Sequence, residues 1–510
     1  PPAAVERLGG LRAGAPWLAL PLGALQSLSF APFDLFPLGF LCLAALFWLW
    51  QDASPKRAAW TGFAFAFGLF LAGTYWLYIS IHVFGRAPLP LALFLMLGMV
   101  AIMGSYAAAI GWALARFLPR GGLAGWLLAL PAAWVLMEWF RGWFLSGFPW
   151  LAVGYGQLDT WLSGWAPVLG IYGLSFAAAV TAGAVLALAQ GDVRQRVVAG
   201  LVLAALWLGG GALRTVEWTR PSGAPIPVAL VQGSIPQDVK WDPQTRRKTL
   251  DLYRSLTDQS WGARIVVWPE ATLPLLYHEA VDYLASIYRE AQARGADLVF
   301  GLIRYDFETQ QYRNGLAAFG AAGEHWYYKR RLVPFGEFFP VPGFIREWMR
   351  LRNLAYADFH PGPADQPPLP AAGELLGQTI CYEDAYAAEQ LAVLREATLL
   401  VNVSNDAWFG DSTAPHQHLQ IARMRSLEAG RWMMRATNNG ISAFIDPRGR
   451  VVARSTQFVP EVLRGEVVPH AGLTPYAVVR NWPVLGACVL GLGLAAWQRR
   501  SARRGAAERV

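Results

Sequence analysis

Cysteine and charge are both scarce in this chain of 510 residues. It has only three cysteines, two of which, Cys42 and Cys488, lie inside hydrophobic runs while Cys381 does not. They give no basis for a disulfide framework. Charged residues make up 15% of the chain and hydrophobic residues 55%. This balance points toward a membrane protein.

Acidic residues are fewer than basic ones, which gives a formal net charge of +8. Many of the Lys and Arg residues flank hydrophobic runs, where membrane topology explains them. We therefore predict no nucleic-acid partner.

The charged residues concentrate between about Arg214 and Arg480, and the chain is too long for one ordinary domain. We expect a hybrid protein, partly embedded in lipid and partly exposed to water.

Eight hydrophobic runs are candidates for transmembrane helices, which need about 20 apolar residues. The first two are short, and the first lacks a small-residue cleavage site, so we expect a retained helix and not a signal peptide. The eight runs are 15–30, 38–50, 58–79, 89–115, 123–140, 171–189, 197–213 and 482–497. With seven spans before the long polar segment and one after it, the chain crosses the membrane an even number of times. Both termini therefore lie on the same side of the membrane.

The distribution of cations decides which side that is. Arginine and lysine cluster in alternate connections, and the opposite loops carry few cations, chiefly Arg86 and Arg141. By the positive-inside rule, the termini are cytoplasmic and the polar segment lies in the periplasm of a bacterial inner-membrane protein. The clustered cations are Arg7, Arg12, Lys56, Arg57, Arg116, Arg120, Arg194, Arg196, Arg499, Arg500, Arg503 and Arg504.

The polar segment alternates short β-branched runs with helical stretches, which indicates a layered α/β domain. We predict a transmembrane domain over 1–220, a catalytic domain over 221–470, and a last helix with a basic tail over 471–510. The predicted strands are 227–232, 264–268, 298–302, 315–319, 324–329, 375–380, 398–403, 433–437 and 442–445. The predicted helices are 243–259, 280–294 and 417–431.

Three reactive side chains stand at the ends of predicted strands, where α/β folds expose their chemistry. They are Glu270, Lys329 and Cys381. Together, a carboxylate, an ammonium and a thiol would form a nucleophile with its own base and oxyanion stabiliser. Taken singly, each residue has a simpler interpretation. Glu270 would be a solvated acid at a strand end, Lys329 one member of a solvated basic triplet, and Cys381 a small buried hydrophobic residue. The combination is much more specific than any one position.

Further polar residues near this set have two interpretations each. Glu337 and Glu383 would assist Lys329 or proton transfer, or else pair with Arg330 and Arg331. The histidines His416 and His418 lack a third ligand motif, so we predict no metal site and expect them to pack against or cap the following helix.

The membrane part carries an ionisable pair, Glu138 and Arg141, three residues apart at a helix end. Ionisable groups at membrane depth are costly and usually functional. The stretch 142–150, which ends at Trp150, is aromatic and broken by glycine and proline. It is either an interfacial aromatic belt or the floor of a lipid entry site.

The order Glu, Lys, Cys on an α/β sandwich resembles the nitrilase superfamily. Longer motifs are similar to those of the apolipoprotein N-acyltransferase family over nearly the whole chain. They are VQGSIPQ at 231–237, KW at 240–241, WPE at 268–270, YK at 328–329, LVPFGE at 332–337, ICYE at 380–383, SNDAWFG at 404–410, FRGW at 140–143, GFPW at 147–150 and GLTPY at 472–476.

The resemblance implies an αββα sandwich joined to about eight transmembrane helices, with no cofactor. It implies that Cys381, activated by Glu270, takes an acyl chain from a phospholipid, probably phosphatidylethanolamine, as a thioester. The acyl chain would then pass to the α-amine of diacylglyceryl-cysteine on lipoproteins, with Lys329 stabilising both oxyanions. Glu337, Tyr382 and Glu383 would support the site. Lipid contacts would come from Trp241, Glu138, Arg141 and Trp150, which the resemblance and the membrane pattern together suggest.

Because a thioester must be kept from water, we expect aromatic loops at 335–348 and 353–363 to cover the site. We expect a monomer.

Two other functions stay open at this point. One is a membrane-tethered amidohydrolase with the same three residues, for which seven spans are more than an anchor requires. The other is a transporter or receptor with a degenerate nitrilase-like sensor, which would have no reason to keep all three.

Overall fold

A computed structural model describes residues 14–338, 343, 344, 347 and 358–507. The chain divides into two compact units. The first takes in the chain up to Glu217, Asp411–Gln420 and the segment from Val478 onward, and the second takes in Trp218–Gly410 and Ile421–Ala477. Of the two predicted covering loops, residues 339–342, 345, 346, 348 and 353–357 lie outside the described residues, as do Arg7 and Arg12.

The first unit is helical. Its glycines let neighbouring helices approach closely: a Cβ on Gly62 would lie 2.4 Å from the Ala107 carbonyl oxygen, and one on Gly23 would clash with the Phe65 carbonyl. Small residues at such crossings allow the backbone contacts that associate helices in lipid. Its main helices are Ala15–Gln26, Pro37–Trp50, Pro55–Gly73, Trp76–Phe84, Leu89–Phe117, Gly122–Arg141, Trp161–Gln190, Val193–Leu213 and Trp482–Ala507.

Within the described residues, four of these helices are long and apolar enough to cross a membrane: Leu89–Phe117, Gly122–Arg141, Trp161–Gln190 and Val193–Leu213. The pair Pro55–Gly73 and Trp76–Phe84, bent by 57°, makes a fifth if it is one span. The other predicted spans are also helical, but Ala15–Gln26 has 12 residues and Pro37–Trp50 has 14. The count of eight stays a prediction.

The second unit contains two six-stranded sheets and a two-stranded ribbon. One sheet has the order β13-β2-β3-β4-β5-β6, the other β12-β11-β10-β9-β8-β7, and β1 pairs with β14. The strands are β1 Arg220–Pro221, β2 Ile226–Gln232, β3 Ile265–Val267, β4 Asp297–Asp306, β5 Gln311–Gly320, β6 Gly323–Tyr328, β7 Leu369–Ala371, β8 Glu374–Ile380, β9 Leu399–Ser404, β10 Met433–Thr437, β11 Ala443–Ile445, β12 Val451–Arg454, β13 Glu461–Val467 and β14 His470–Ala471.

Side-chain alternation along β2 shows how the layers form. Val228 and Leu230 belong to one buried cluster with residues of the second sheet, such as Val401. Ala229 and Val231, on the opposite face, belong to another cluster with residues of the helices Arg246–Gln259 and Tyr277–Ala293. Successive strand residues point to opposite faces, so β2 is covered by a sheet on one side and by helices on the other.

The α/β class predicted from the sequence is confirmed, as are all nine predicted strands. Five strands were missed. β1, β7 and β14 have only two or three residues, and β12 and β13 have polar, partly exposed sequences. A hydrophobic pattern detects buried central strands but misses short or exposed edge strands. The helix Ala414–Ala429 begins three residues before its predicted start.

Glycine 301 of β4 sets the position of the turn that follows β3. The Gly301 N–H donates to the Pro269 carbonyl at 3.1 Å, and the Gly301 carbonyl accepts from Thr272 N–H at 2.8 Å. A Cβ at this position would lie 2.6 Å from both the Glu270 Cα and the Pro269 oxygen. The absence of a side chain therefore brings Glu270 against the sheet.

Replacing Gly301 by alanine should displace this turn. We expect G301A to lower the free energy of unfolding by about 1–3 kcal/mol, because the added methyl group has no space, and to reduce catalytic activity strongly because Glu270 moves. Thermal unfolding and acyl-transfer assays of the purified protein measure the two effects. The matched control is G200A, a helical glycine with nothing within 4 Å of its Cβ position. Unchanged unfolding and activity in G301A would contradict this packing argument.

Candidate active site

The thiol of Cys381 lies at a sharp turn directly after β8. Strand β8 ends at Ile380, and a short helical turn, Cys381–Ala385, begins at the cysteine itself. Cys381 has φ 51°, in the left-handed region that non-glycine residues seldom adopt. Such strain persists only where the surrounding structure enforces it, and it is concentrated at functional sites. The residue is partly exposed, and Ser404, the last residue of β9, hydrogen-bonds to the thiol through its hydroxyl.

The carboxylate of Glu270 is held on both oxygens. Oε1 accepts from Asn314 Nδ2 at 2.7 Å and from Lys329 Nζ at 3.2 Å. Oε2 accepts from the Asn405 backbone N–H at 2.9 Å. Only 6% of Glu270 is exposed. Its donors come from β5, from the residue after β6 and from the residue after β9, so strands of both sheets position one carboxylate.

The ammonium of Lys329 lies between two carboxylates. Its Nζ is 3.2 Å from Glu270 Oε1 and 2.8 Å from Glu337 Oε1, and 1% of the residue is exposed. Burial alone would lower the pKa of Lys329, but the negative charges of Glu270 and Glu337 outweigh it and hold that pKa well above its ordinary value. Lys329 is therefore a permanent cation beside the thiol.

The thiol of Cys381 is protonated in the resting site. Burial raises its pKa well above the ordinary value, and the negative charges of Glu270 and Asp406 add to this. The charge of Lys329 acts in the opposite direction but does not outweigh these effects. The geometry therefore suits a general base that removes the thiol proton during attack, and does not suit a thiolate formed in advance.

Asn314 was not identified from the sequence. Its Nδ2 donates to Glu270 Oε1 at 2.7 Å and to Glu337 Oε1 at 3.1 Å, so one amide links two acids. Glu337 also accepts from the Val333 backbone N–H at 2.8 Å. Asn314 is the first residue of the buried part of β5, and the buried residues that follow it, 315–320, are all apolar or glycine. A polar residue in such a strand was the available signal.

Glu383 connects the turn of Cys381 with that of Lys329. Its carboxylate accepts from the Ile380 N–H at 2.8 Å, just before the cysteine, and from the Arg330 N–H at 2.6 Å, just after the lysine. Tyr327 Oη donates to it at 3.0 Å. Glu383 therefore accepts hydrogen bonds from backbone N–H groups and does not form the ion pair with the guanidinium groups of Arg330 and Arg331 that was its alternative interpretation. Those guanidinium groups, of Arg330 and Arg331, instead lie near Glu389.

Two other predicted residues, Tyr382 and Trp241, lie in the same unit of the chain. Tyr382 is buried, and its ring meets the ring of Tyr386 at 5.2 Å. Trp241 is 46% exposed, on the loop after β2. Tyr382 therefore packs beside the nucleophile, and Trp241 presents apolar surface to the outside.

The predicted membrane residues form a second, separate set within the first unit. Arg141 Nη1 donates to the carbonyls of Phe148 and Trp150, each at 2.6 Å. Glu138 accepts from Trp134 Nε1 and from the Val153 N–H, each at 2.9 Å. Both ionisable groups are buried and hold the broken 142–153 stretch.

Trp150 and the two histidines lie in the same unit. Trp150 Nε1 donates to Gln417 Oε1 at 2.7 Å, and its ring is 5.6 Å from that of His418, which is buried. Across the described part of the chain, no group of three or more His, Cys, Asp or Glu side chains is arranged to hold a metal ion. His418 packs as expected, but it does so against Trp150 and from within the helix Ala414–Ala429, which it was expected to precede.

Comparison with known proteins decides the family. The model described as apolipoprotein N-acyltransferase N-terminal domain matches residues 22–184, and the carbon-nitrogen hydrolase model matches residues 227–475. The apolipoprotein N-acyltransferase of Azotobacter vinelandii is 45% identical over 494 residues, which is 95% of each chain. That of Methylococcus capsulatus is 42% identical over 484 residues, 95% of this chain and 96% of the relative.

The chain belongs to the apolipoprotein N-acyltransferase family. The resemblance seen in its motifs is thus confirmed, and with it an acyltransferase activity on a nitrilase-like fold. The two family matches divide the chain much as its composition does, into an apolar part and an α/β part. The two functions left open, a tethered amidohydrolase and a receptor, find no support in these relatives.

The raised pKa of Cys381 predicts how this family member reacts with a thiol reagent. Alkylation of Cys381 by iodoacetamide should be at least ~10-fold slower near pH 7 than that of an exposed cysteine, and should rise through alkaline pH, because only the thiolate reacts. Mass spectrometry of the Cys381 peptide measures the modified fraction, and C381A identifies the labelled site. Complete alkylation at neutral pH, with no further rise above it, would show that the thiolate is already formed.

Proposed function

We propose that this acyltransferase carries an acyl chain from a phospholipid, through a thioester on Cys381, to the α-amine of diacylglyceryl-cysteine at lipoprotein N-termini. The observation that carries the proposal is the cluster of Glu270, Lys329 and Cys381. Lys329 donates to Glu270 at 3.2 Å, and the charges of both act on the Cys381 thiol. The names of the relatives support the lipoprotein acceptor.

In the first step, Cys381 Sγ attacks the ester carbonyl carbon of the phospholipid, and its proton passes to a Glu270 oxygen. The C–S bond forms while the carbonyl electron pair moves to oxygen, giving an anion beside Lys329 Nζ. The tetrahedral intermediate collapses with loss of the lysophospholipid alkoxide, which takes the proton from Glu270. The products are the thioester and a lysophospholipid.

In the second step, the lipoprotein α-amine attacks the thioester carbonyl carbon. Glu270 takes a proton from the amine, and Lys329 again stabilises the oxyanion. Collapse expels the Cys381 sulfur, which regains the proton held by Glu270, and an amide is released. One carboxylate therefore acts alternately as base and acid, and its three fixed hydrogen bonds keep it within reach in both steps.

The supporting residues have distinct proposed roles. Glu337 holds the Lys329 ammonium, and Glu383 holds the two turns that carry Lys329 and Cys381. Tyr382 packs beside the nucleophile, and Trp241 contacts the lipid with its exposed ring. Buried Glu138 and Arg141 hold the membrane stretch to which Trp150 belongs, where we place a lipid-facing surface.

The location proposed for this activity follows the cation pattern. The catalytic domain, 221–470, lies in the periplasm, and the segments 1–220 and 471–510 supply eight spans with cytoplasmic ends in a bacterial inner membrane. The donor we favour is phosphatidylethanolamine, and the enzyme acts as a monomer without a cofactor. Both substrates carry acyl chains, so neither has to leave the outer leaflet completely.

Intact-protein mass spectrometry after incubation with phosphatidylethanolamine tests the mechanism. We expect wild type to gain the mass of one acyl chain, labile to hydroxylamine as a thioester is, and C381A to gain none. Adding a diacylated lipopeptide should then discharge the adduct and yield the N-acylated peptide.

Each other outcome has a definite meaning. Discharge to free fatty acid, with no acylated peptide, would establish a hydrolase. A folded, lipid-accessible preparation without any adduct would contradict the covalent mechanism. E389Q is the matched control, and we expect it to form the adduct as wild type does. Glu389 is an acid near the basic side chains after Lys329 but takes no part in the catalytic cluster.

A further inference from the structure

A cavity of 680 Å³ in the helical unit takes no part in the proposed reaction. It is lined by residues of the helices Ala15–Gln26 and Pro55–Gly73. Its polar lining comes from Ser54, Lys56 and Arg57, and the rest of its lining is apolar. Cavities of this size bind small molecules, and their lining fixes the chemistry of the ligand.

The apolar lining of this cavity is largely aromatic. Trp60, Phe63 and Phe67 follow one another along the helix Pro55–Gly73, and each ring contacts the next with centroids 5.7 Å apart. We call these three residues the aromatic row. Trp60 is 56% exposed, and Trp17, from the other helix, is 84% exposed. Exposed apolar surface of this extent marks a site for an apolar partner.

Two cations stand at one end of the aromatic row. Lys56 and Arg57 are the second and third residues of the helix, so both precede Trp60 along its axis. Phe67 follows Arg57 by ten residues, which is about 15 Å at 1.5 Å per residue. The cavity therefore offers positive charge at one end and an apolar path away from it.

Arg57 has a hydrogen-bond donor to spare. Its Nη2 donates to the Asp52 backbone carbonyl at 2.8 Å, whereas its Nε is buried and has no hydrogen-bond partner among the residues that the structure describes. A buried donor without an acceptor is costly. An acceptor that enters the cavity would remove this cost, and a phosphate oxygen is the acceptor to which a guanidinium group is best matched.

Further positive charge lies at the same end of the helical unit. Arg120 Nη1 donates to the Ala53 carbonyl at 2.6 Å, in the connection that precedes the helix Pro55–Gly73. Burial lowers the pKa of Arg120, and the charges of Arg499 and Arg57 lower it further, while Asp52 acts in the opposite direction. Cations are therefore close enough to repel one another there, and an anion would be stabilised.

An anionic phospholipid matches both ends of the cavity. Its phosphate suits the two cations, and an acyl chain suits the aromatic row. Basic pockets between membrane helices on the cytoplasmic side bind such head groups, and the cation pattern places Lys56 and Arg57 on that side. A zwitterionic lipid would bring an ammonium group that the cations repel, and a soluble anion would leave the aromatic row uncovered.

We propose that this cavity is a binding site for one anionic phospholipid of the cytoplasmic leaflet, with its phosphate on Lys56 and Arg57 and an acyl chain along the aromatic row. The lipid joins the two helices that line the cavity. It is distinct from the acyl donor, because we place the catalytic domain on the periplasmic side. The choice of leaflet rests on the proposed location, and the site itself does not depend on the proposed reaction.

Native mass spectrometry of the delipidated full chain, titrated with phosphatidylglycerol, tests the site. The C381A background keeps every lipid intact. We expect the first phosphatidylglycerol to bind at least ~10-fold more tightly than phosphatidylcholine. Each cation near a membrane surface is worth ~5-fold in affinity for an anionic lipid, so K56Q should lose ~5-fold and K56Q/R57Q ~25-fold. Lys56 is exposed, so K56Q keeps the test open if the double variant does not fold.

Two further variants separate the cavity from general surface charge. R194Q/R196Q removes two exposed cations at the start of the helix Val193–Leu213, on the same predicted side, and should bind phosphatidylglycerol as the parent does. L20W keeps both cations but adds bulk at a partly exposed residue that lines the cavity, and should weaken binding at least ~5-fold.

Three outcomes would overturn the inference. Equal weakening in R194Q/R196Q and K56Q/R57Q would show attraction to surface charge alone. Equal affinity for phosphatidylglycerol and phosphatidylcholine would show that the head group is not recognised. Unchanged binding in both K56Q/R57Q and L20W would mean that something else fills the cavity, such as residues 1–13 of the chain or a second copy. None of these outcomes bears on acyl-enzyme formation, so failure here and failure of the proposed function are distinguishable.

Discussion

The buried carboxylate of Glu270 is the group on which the rest of the site depends. An unpaired carboxylate at 6% exposure would be strongly disfavoured. Three donors compensate, from Asn314, Lys329 and Asn405, and each comes from a different strand or strand end. Their shared acceptor ties the ends of both sheets together. The hydrogen bonds that place the base therefore also stabilise the catalytic domain.

The protonated resting state of Cys381 gives this arrangement its chemical character. A thiolate at this position would react with oxidants and with any electrophile, whereas a protonated thiol near a base is reactive only when an ester carbonyl is held against it. The permanent charge of Lys329, kept by Glu270 and Glu337, does not ionise the thiol at rest. It is available to the oxyanion, which exists only during reaction.

Glu383 shows how a residue outside the reacting set controls its geometry. Its carboxylate contacts backbone N–H groups on either side, before Cys381 and after Lys329. Charge-assisted hydrogen bonds of this kind are stronger than neutral ones. They fix two chain turns from different sheets and help hold Cys381 at its strained φ of 51°. The membrane unit uses the same device, since Arg141 holds the carbonyls of Phe148 and Trp150.

The sequence by itself determined the α/β class, nine of the fourteen strands described and the three strand ends that carry Glu270, Lys329 and Cys381, because buried strands are continuous apolar runs and reactive residues follow them. It also determined the family, through motifs spread over the chain. Asn314 as the bridge between two acids, and Glu383 as a backbone acceptor, emerged only from the tertiary structure, since no local pattern shows which donors will meet a carboxylate.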